Sequence, residues 1–387
     1  MTRRLLLASP LKLTRPRVVL MHAASYGELE GVRPVLQKLE IKLKDCDFVI
    51  STTSDTGLTK AQALTPHALI LPYDFLLFQW IFLKYIQPQL ILIFETELWP
   101  GLLVTARILK IPVVFVNARI SDRKFESYRR FKFFFEPLLK SIGAIFVQSK
   151  DDFRKFVEIG AEQNKIQALG LTKLDSLQGA VDQSRLELRK RYALSERDFL
   201  FVAGSIRPGE YESIIAAIKT ILQLNQNFYA ILAPRHLDQV TTIQAELSRA
   251  EINYLRRSLG QVFSAQARVM LLDSMGELTQ AYQASEVSFI GGTLVPIGGH
   301  NPFEAAQFAV PIILGRNTAN IRWGVELLKQ TNGVFEINSS TELVSVLTDL
   351  LLQPERRLQI GNNAQAAFLA AQGATDRVLE RLGKYIS

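Results

Sequence analysis

Short apolar runs alternate with helical periods along nearly the whole chain. Arg17 to Met21, Phe48 to Thr53, Ala68 to Leu71, Leu90 to Phe94, Val113 to Asn117 and Ala144 to Gln148 read as buried strands. Between them lie amphipathic stretches: Leu29, Val32, Val35, Leu36 and Leu39 at helical spacing, then Phe75 to Ile86 and Leu102 to Leu109. Leu171 to Arg197 is polar and charged and reads as a crossing between domains. The alternation then resumes with strands at Phe199 to Ala203, Phe228 to Ala233, Val269 to Leu272, Val287 to Ile290 and Ile312 to Leu314. Tyr211 to Leu224 is a helix between the first two of these, and further helices fill most of Thr341 to Tyr385. Apolar runs separated by helices predict βαβ units on parallel sheets. The expected fold is α/β, with two Rossmann-like parallel-sheet domains facing each other across a cleft. The expected boundaries are 1–175 for the first domain, 176–197 for the linker and 198–387 for the second domain with its C-terminal helices.

A length of 387 residues suits two cores better than one. With 48% hydrophobic and 21% charged residues, the chain has the composition of a globular protein and not of a disordered one. An excess of 45 Lys and Arg over 37 Asp and Glu, +8 in all, favours an anionic partner: a phosphorylated substrate, an acidic membrane surface or nucleic acid. Cys46 is the single cysteine, so an intrachain disulfide or a cysteine metal cluster is excluded. With no cleavable signal pattern, a cytoplasmic location is expected. The Leu5-Leu6-Leu7 run near the start is far short of the roughly 20 apolar residues that span a bilayer, so any membrane contact is expected at the surface.

Parallel sheets bind ligands at the carboxyl ends of their strands, where Glu28, Glu95 and Asn117 fall. The stretch Gly291 to Glu304 follows a strand and opens a helix. Four glycines bare its backbone, Asn301 suits an N-cap, Pro302 the first helical position and Glu304 a capping-box acid. These are the parts of a nucleotide or anion site, and equally of a capped turn without a ligand. Ser25 with Glu28, and Ser274 with Glu277, repeat the capping-box spacing, so three acids are expected to share one local geometry. Glu95 and Glu97 form a carboxylate pair at a strand end, suited to holding a sugar hydroxyl or to acid–base chemistry. Asp45-Cys46-Asp47 reads as a solvated turn. His22, His67, His236 and His300 lack ligand spacing, and no metal site is predicted. The chain has no G-x-S-x-G elbow, Walker loop or clean G-x-G-x-x-G, which argues against a kinase or a dehydrogenase. Arg119 to Phe135 interleaves bases with aromatics. It reads either as a lipid-facing surface or as a helix with an aromatic core face, and no motif elsewhere supports nucleic acid as the partner.

Eight blocks, in order, resemble the 3-deoxy-D-manno-octulosonic acid (Kdo) transferases of lipid A biosynthesis. They are His22 to Glu28, Leu71 to Asp74, Glu95 to Pro100, Asn117 to Arg119, Gly170 to Asp175, Pro234 to His236, Asp273 to Leu278 and Gly298 to Ala306. The resemblance implies a GT-B glycosyltransferase, inverting and metal-independent, with no cofactor. Its implied donor is CMP-Kdo, and its acceptor a lipid A precursor (lipid IVA) at the cytoplasmic face of the inner membrane, met peripherally. By the same resemblance, Glu28 is the general base, and Glu95 and Lys173 stabilise the transition state. Pro234-Arg235, Met275-Gly276-Glu277 and Asn301-Pro302-Phe303-Glu304 hold CMP. Where the family usually has Val before Gly27, this chain has Tyr26, beside the implied base. The family often begins with a hydrophobic anchor, whereas this chain enters its first strand almost directly, which turns attention to surfaces such as Arg119 to Phe135. The alternatives are a nucleotide-sugar epimerase, or a GT-B enzyme with another acceptor.

Overall fold

The computed structural model describes residues 11–95, 98–177 and 183–386. Two compact units emerge, one of residues 1–176 with 371–387 and one of residues 177–370.

The first unit is built on seven strands: β1 (Arg17–His22), β2 (Cys46–Thr52), β3 (Ala68–Ile70), β4 (Leu90–Phe94), β5 (Val113–Ala118), β6 (Ala144–Val147) and β7 (Ile166–Ala168). They lie in the order β3-β2-β1-β4-β5-β6-β7, and every pair is parallel. The central strands are buried on both faces, which is why they read as unbroken apolar runs. On one face Leu20, Ile91, Ile93 and Phe115 meet the helices Leu76–Ile86, Pro100–Ile108 and Lys132–Ser141. On the other, Val19, Met21, Leu92 and Phe94 meet the helices Leu29–Lys42 and Ala374–Ile386.

The second unit repeats the plan with β8 (Phe199–Ile206), β9 (Phe228–Pro234), β10 (Tyr254–Arg256), β11 (Val269–Leu271), β12 (Val287–Ile290), β13 (Ile312–Gly315) and β14 (Val334–Ile337). Their order is β10-β11-β9-β8-β12-β13-β14, again parallel throughout. Phe201, Phe228 and Phe289 are fully buried at its centre, with Ile214, Ile218 and Ile221 of the helix Tyr211–Leu224 packed over them.

The structure departs from the sequence reading at several points. Strands β7, β10 and β14 carry no buried apolar run, because they are short edges with mixed exposure. The helix Ala374–Ile386, expected with the second domain, packs on the first unit, where Val378, Leu379, Leu382 and Ile386 are buried. In the stretch taken as a linker, the helix Arg185–Arg191 belongs to the second unit. Arg189, 3% exposed, pairs there with Glu286 at 2.7 Å. Cys46-Asp47 is a buried strand start and not a solvated turn. The Asp47 carboxylate accepts the amides of Thr14 and Arg15, and burial pushes the Cys46 thiol up to about 11.

Candidate active site

In open parallel sheets, ligands gather where the strand order reverses, because the flanking loops there diverge and leave a crevice. The reversal falls between β1 and β4 in the first sheet and between β8 and β12 in the second.

Past β1, Ala23 donates to Ser51 and the Thr53 hydroxyl donates to the Ala24 carbonyl, so the chain is pinned across the end of β2. Glu28 then reaches back. Its Oε2 accepts the Ala24 amide at 2.7 Å and its Oε1 accepts the Ser25 hydroxyl at 3.0 Å. The helix Leu29–Lys42 begins immediately afterwards, with Glu28 as its N-cap and no side-chain bond to the helix amides. This is therefore not the expected capping box. The carboxylate stands before the helix, at its positive end.

Glu95 follows β4 with φ at +58°, a left-handed conformation that is costly for a residue with a Cβ. Arg119 Nε donates to Glu95 Oε2 at 3.1 Å. Glu97 lies outside the described residues. At the end of β5, Asn117 also has positive φ, at 55°. Its amide group grips Thr172 twice, accepting from the backbone at 3.0 Å and donating to the hydroxyl at 2.8 Å. The Thr172 hydroxyl in turn donates to the Gly31 carbonyl at 2.7 Å. The short turn Thr172–Leu174, which carries Lys173, is thereby locked to the helix that follows Glu28. A Cβ on Gly31 would lie 2.6 Å from Asn117 Nδ2, so only glycine fits there.

Two features of this end escaped the sequence reading. Lys60 is buried, pairs with Glu30, and lies 3.6 Å from the centroid of the Tyr26 ring. Asp74 accepts the amides of Gly101 and Leu102 and so caps the helix after Trp99, which assigns a structural role to the Leu71-to-Asp74 block. Burial raises the Asp74 pKa.

In the second unit, the loops after β11, β9, β8, β12 and β13 leave the same edge of the sheet. Arg235 is exposed just past β9, and its amide donates to Ile206. Met275 is 78% exposed, and Gly276 has φ at +82° with open space around it. Arg257 donates to Glu277 at 2.9 Å, and the Ser274 hydroxyl also bonds that carboxylate. Glu277 stands at the N-cap position of the helix Leu278–Ala284. Asp273 accepts from Arg256 at 2.7 Å and from the backbone and hydroxyl of Ser258. Burial would raise both acids, but the bonds from Ser258 and Arg256, and those from Arg257 and Ser274, outweigh it and hold both below the ordinary carboxylate range. Arg256 and Arg257 lie in an edge strand and the turn after it, where the sequence carries no signal of a partner.

The loop after β12 also differs from expectation. Asn301 Oδ1 accepts the Phe303 amide at 3.2 Å, while Pro302 occupies the N-cap position of a helix of only four residues, Phe303–Ala306. The Phe303 ring is 2% exposed and packs against Trp323 and Phe368, so its side chain serves the core. Glu28 and Glu277 thus share one arrangement, each at the N-cap position and accepting the hydroxyl of the serine three residues before it, whereas Glu304 stands inside the first turn of its helix. A fourth acid, Glu210, is fully buried and accepts the amides of Gly292, Thr293 and Leu294.

One flank of the first unit is strongly apolar. Phe75 and Leu77, at and near the start of the helix Leu76–Ile86, are 67% and 66% exposed, and Trp80 and Ile81 are also exposed. This helix packs on Pro100–Ile108, which packs on Lys132–Ser141, where Phe133 is 78% exposed. A hollow of about 380 Å³ there is lined by Arg107, Phe133, Glu136, Pro137, Lys140 and Ser141. The Arg119-to-Phe135 stretch breaks into two helices near Phe131. Phe125, Tyr128 and Phe135 turn to the core, as the reading of an aromatic core face expects, while Phe131, Phe133 and Phe134 face out. Among the described residues, no helix is long and apolar enough to cross a membrane.

Two parallel sheets with this strand order define the GT-B class. UDP-GlcNAc 2-epimerase from Neisseria meningitidis, solved with UDP-GlcNAc, has a similar fold, with a TM-score of 0.69 over 95% of this chain and 100% of that one at 15% identity. Residues 1–176 match the family model described as 3-deoxy-D-manno-octulosonic-acid transferase. The chain is 29% identical over 376 residues to the 3-deoxy-D-manno-octulosonic acid transferase of Haemophilus influenzae, covering 96% of this chain and 88% of that protein. It is 26% identical over 374 residues to the enzyme of the same name from Chlamydophila psittaci, covering 95% and 85%. Residues 1–176 thus carry a domain of the Kdo transferase family, and the chain is a glycosyltransferase.

Proposed function

We propose that the protein transfers Kdo from CMP-Kdo to a lipid A precursor with inversion at the anomeric carbon and without a metal ion. The observation that carries this reading is the placement of Glu28 in the loop after β1 and of Glu95 directly after β4, the two strands between which the order reverses. Glu28 takes the proton from the acceptor hydroxyl. That oxygen forms the new bond to the anomeric carbon as the bond to the CMP phosphate breaks, and CMP leaves with the electron pair. Charge that develops positive on the sugar is met by Glu95, and charge on the leaving phosphate by Lys173 and Arg235. In the second unit, Pro234-Arg235, Met275 to Glu277 and Asn301 to Glu304 hold the cytidine nucleotide, with the Phe303 ring as the buried support of its segment.

The acceptor carries acyl chains and phosphates, and the apolar flank, with Arg107 and the Lys140–Glu136 pair at its hollow, suits the cytoplasmic face of a membrane. Exposed aromatic and aliphatic side chains beside Arg107 and Lys140 match acyl chains and anionic head groups. The reading is tested with Glu28→Gln. Transfer to a tetra-acylated lipid A precursor, read by mass, is expected to be abolished while CMP affinity is retained. Full transfer by this variant removes Glu28 from the role of base. Turnover of donor without any acceptor marks an epimerase or hydrolase instead.

A further inference from the structure

The glycine loop after β12 looks from its sequence like a cradle for a ligand anion, yet its first free amides are already taken. Glu210 lies in the turn after β8, next to β12 in the sheet, and is 0% exposed. Its Oε1 accepts the amides of Thr293 at 3.0 Å and Leu294 at 2.9 Å, and its Oε2 accepts those of Gly292 and Arg207, both at 2.8 Å. The four N–H dipoles replace the water that this carboxylate gives up on burial. The cluster also stands at the positive end of the helix Tyr211–Leu224.

The chain around this carboxylate leaves little freedom. Gly315 donates to the Thr293 hydroxyl at 2.8 Å, Asn317 donates twice to the Thr293 carbonyl, and Gly299 donates back to Gly292 at 2.8 Å. Gly209 has φ at +90°, which lets the turn before Glu210 close. Farther along, Arg207 Nε approaches His300 Nε2 at 3.3 Å, so the turn that holds Glu210 also touches the far end of the loop.

We infer that Glu210 is a positioning residue. Its buried carboxylate occupies the amide nest at Gly292 to Leu294 and so sets where Asn301 and Glu304 stand toward the donor nucleotide. The inference rests on the proposal that the second unit binds CMP. It also means that the donor phosphate is not held by these three amides. Replacing the carboxylate with an amide turns one acceptor oxygen into a donor aimed at N–H groups, with nearly the same volume.

The test compares parent, Glu210→Gln and Glu210→Ala proteins by CMP titration calorimetry, donor kinetics and hydrogen exchange read by mass. In Glu210→Gln, CMP Kd and donor KM are expected to rise about tenfold or more, with kcat within about threefold. In Glu210→Ala, added acetate is expected to restore part of the CMP affinity, and chloride at equal ionic strength is not. In the parent without nucleotide, amides 292–294 are expected to be as protected as those of β12. CMP is expected to add protection at 301–304 and none at 292–294. Unchanged CMP affinity in both variants overturns the inference, as does a fall in kcat with donor KM unchanged. If the variants do not fold, fast exchange at 292–294 in the parent overturns it by itself. A parent that fails to bind CMP sinks the nucleotide reading instead, and the exchange pattern still decides whether Glu210 fixes the loop.

Discussion

Asp175 accepts the backbone amide of Thr375 at 2.6 Å across 200 residues of sequence, and that of Gly373 at 2.7 Å. The turn that carries Lys173 is thereby tied to the start of the last helix, Ala374–Ile386. Arg17 Nη1 bonds the Ile386 carbonyl at its other end, and Lys38 pairs with Asp376. The end of the chain is thus a structural member of the unit that holds Glu28. Asp175→Ala is expected to cost that unit about 1–2 kcal/mol, as the loss of a helix cap with two amides left unpaired. Urea unfolding checks the stability change, and a parallel loss in kcat follows if the Lys173 turn loosens.

Glu95 combines positive φ with an ion pair to Arg119. Glycine adopts this conformation without strain, so Glu95→Gly is expected to change stability by no more than about 1 kcal/mol, strain relief offsetting the added freedom of the unfolded chain. Transfer activity is expected to fall steeply in the same variant. Thermal melts with steady-state assays separate the two effects, and a large stability loss with normal kcat contradicts the assignment.

Asp273 and Glu277 are held below the ordinary carboxylate range, so they stabilise the folded second unit fully above that range. Their contribution is lost as pH falls through their lowered folded values, because the unfolded acids bind protons first. Stability is expected to drop on acidification below about pH 4. Asp273→Asn is expected to lower stability at neutral pH and flatten the acid limb, as read by urea midpoints across the pH series.

Leu77→Ser with Trp80→Ser is expected to reduce binding to vesicles containing anionic lipid. Arg107→Ala with Lys140→Ala is expected to reduce both the binding and its salt dependence. Neither pair touches the candidate catalytic groups, so kcat on a detergent-dispersed acceptor should hold. Cosedimentation with vesicles measures the first effect, and equal binding by all variants removes this flank from membrane contact.

The hydrophobic pattern along the chain was enough to determine the alternating parallel architecture and the placement of Glu28 and Glu95 after buried strands, because strand burial and helical period are local signals. The ordered motif blocks were enough for the family. The membership of the last helix in the first unit, the lock from Asn117 through Thr172 to Gly31, and the occupation of the glycine loop by Glu210 were decided only by tertiary structure. Each joins residues from 55 to 200 positions apart. Whether a loop amide is free for a ligand or already bound depends on what the fold brings against it. Gly291 to Glu304 has the same glycines in either case, and only the packing of the turn after β8 shows that its first amides are spent on Glu210.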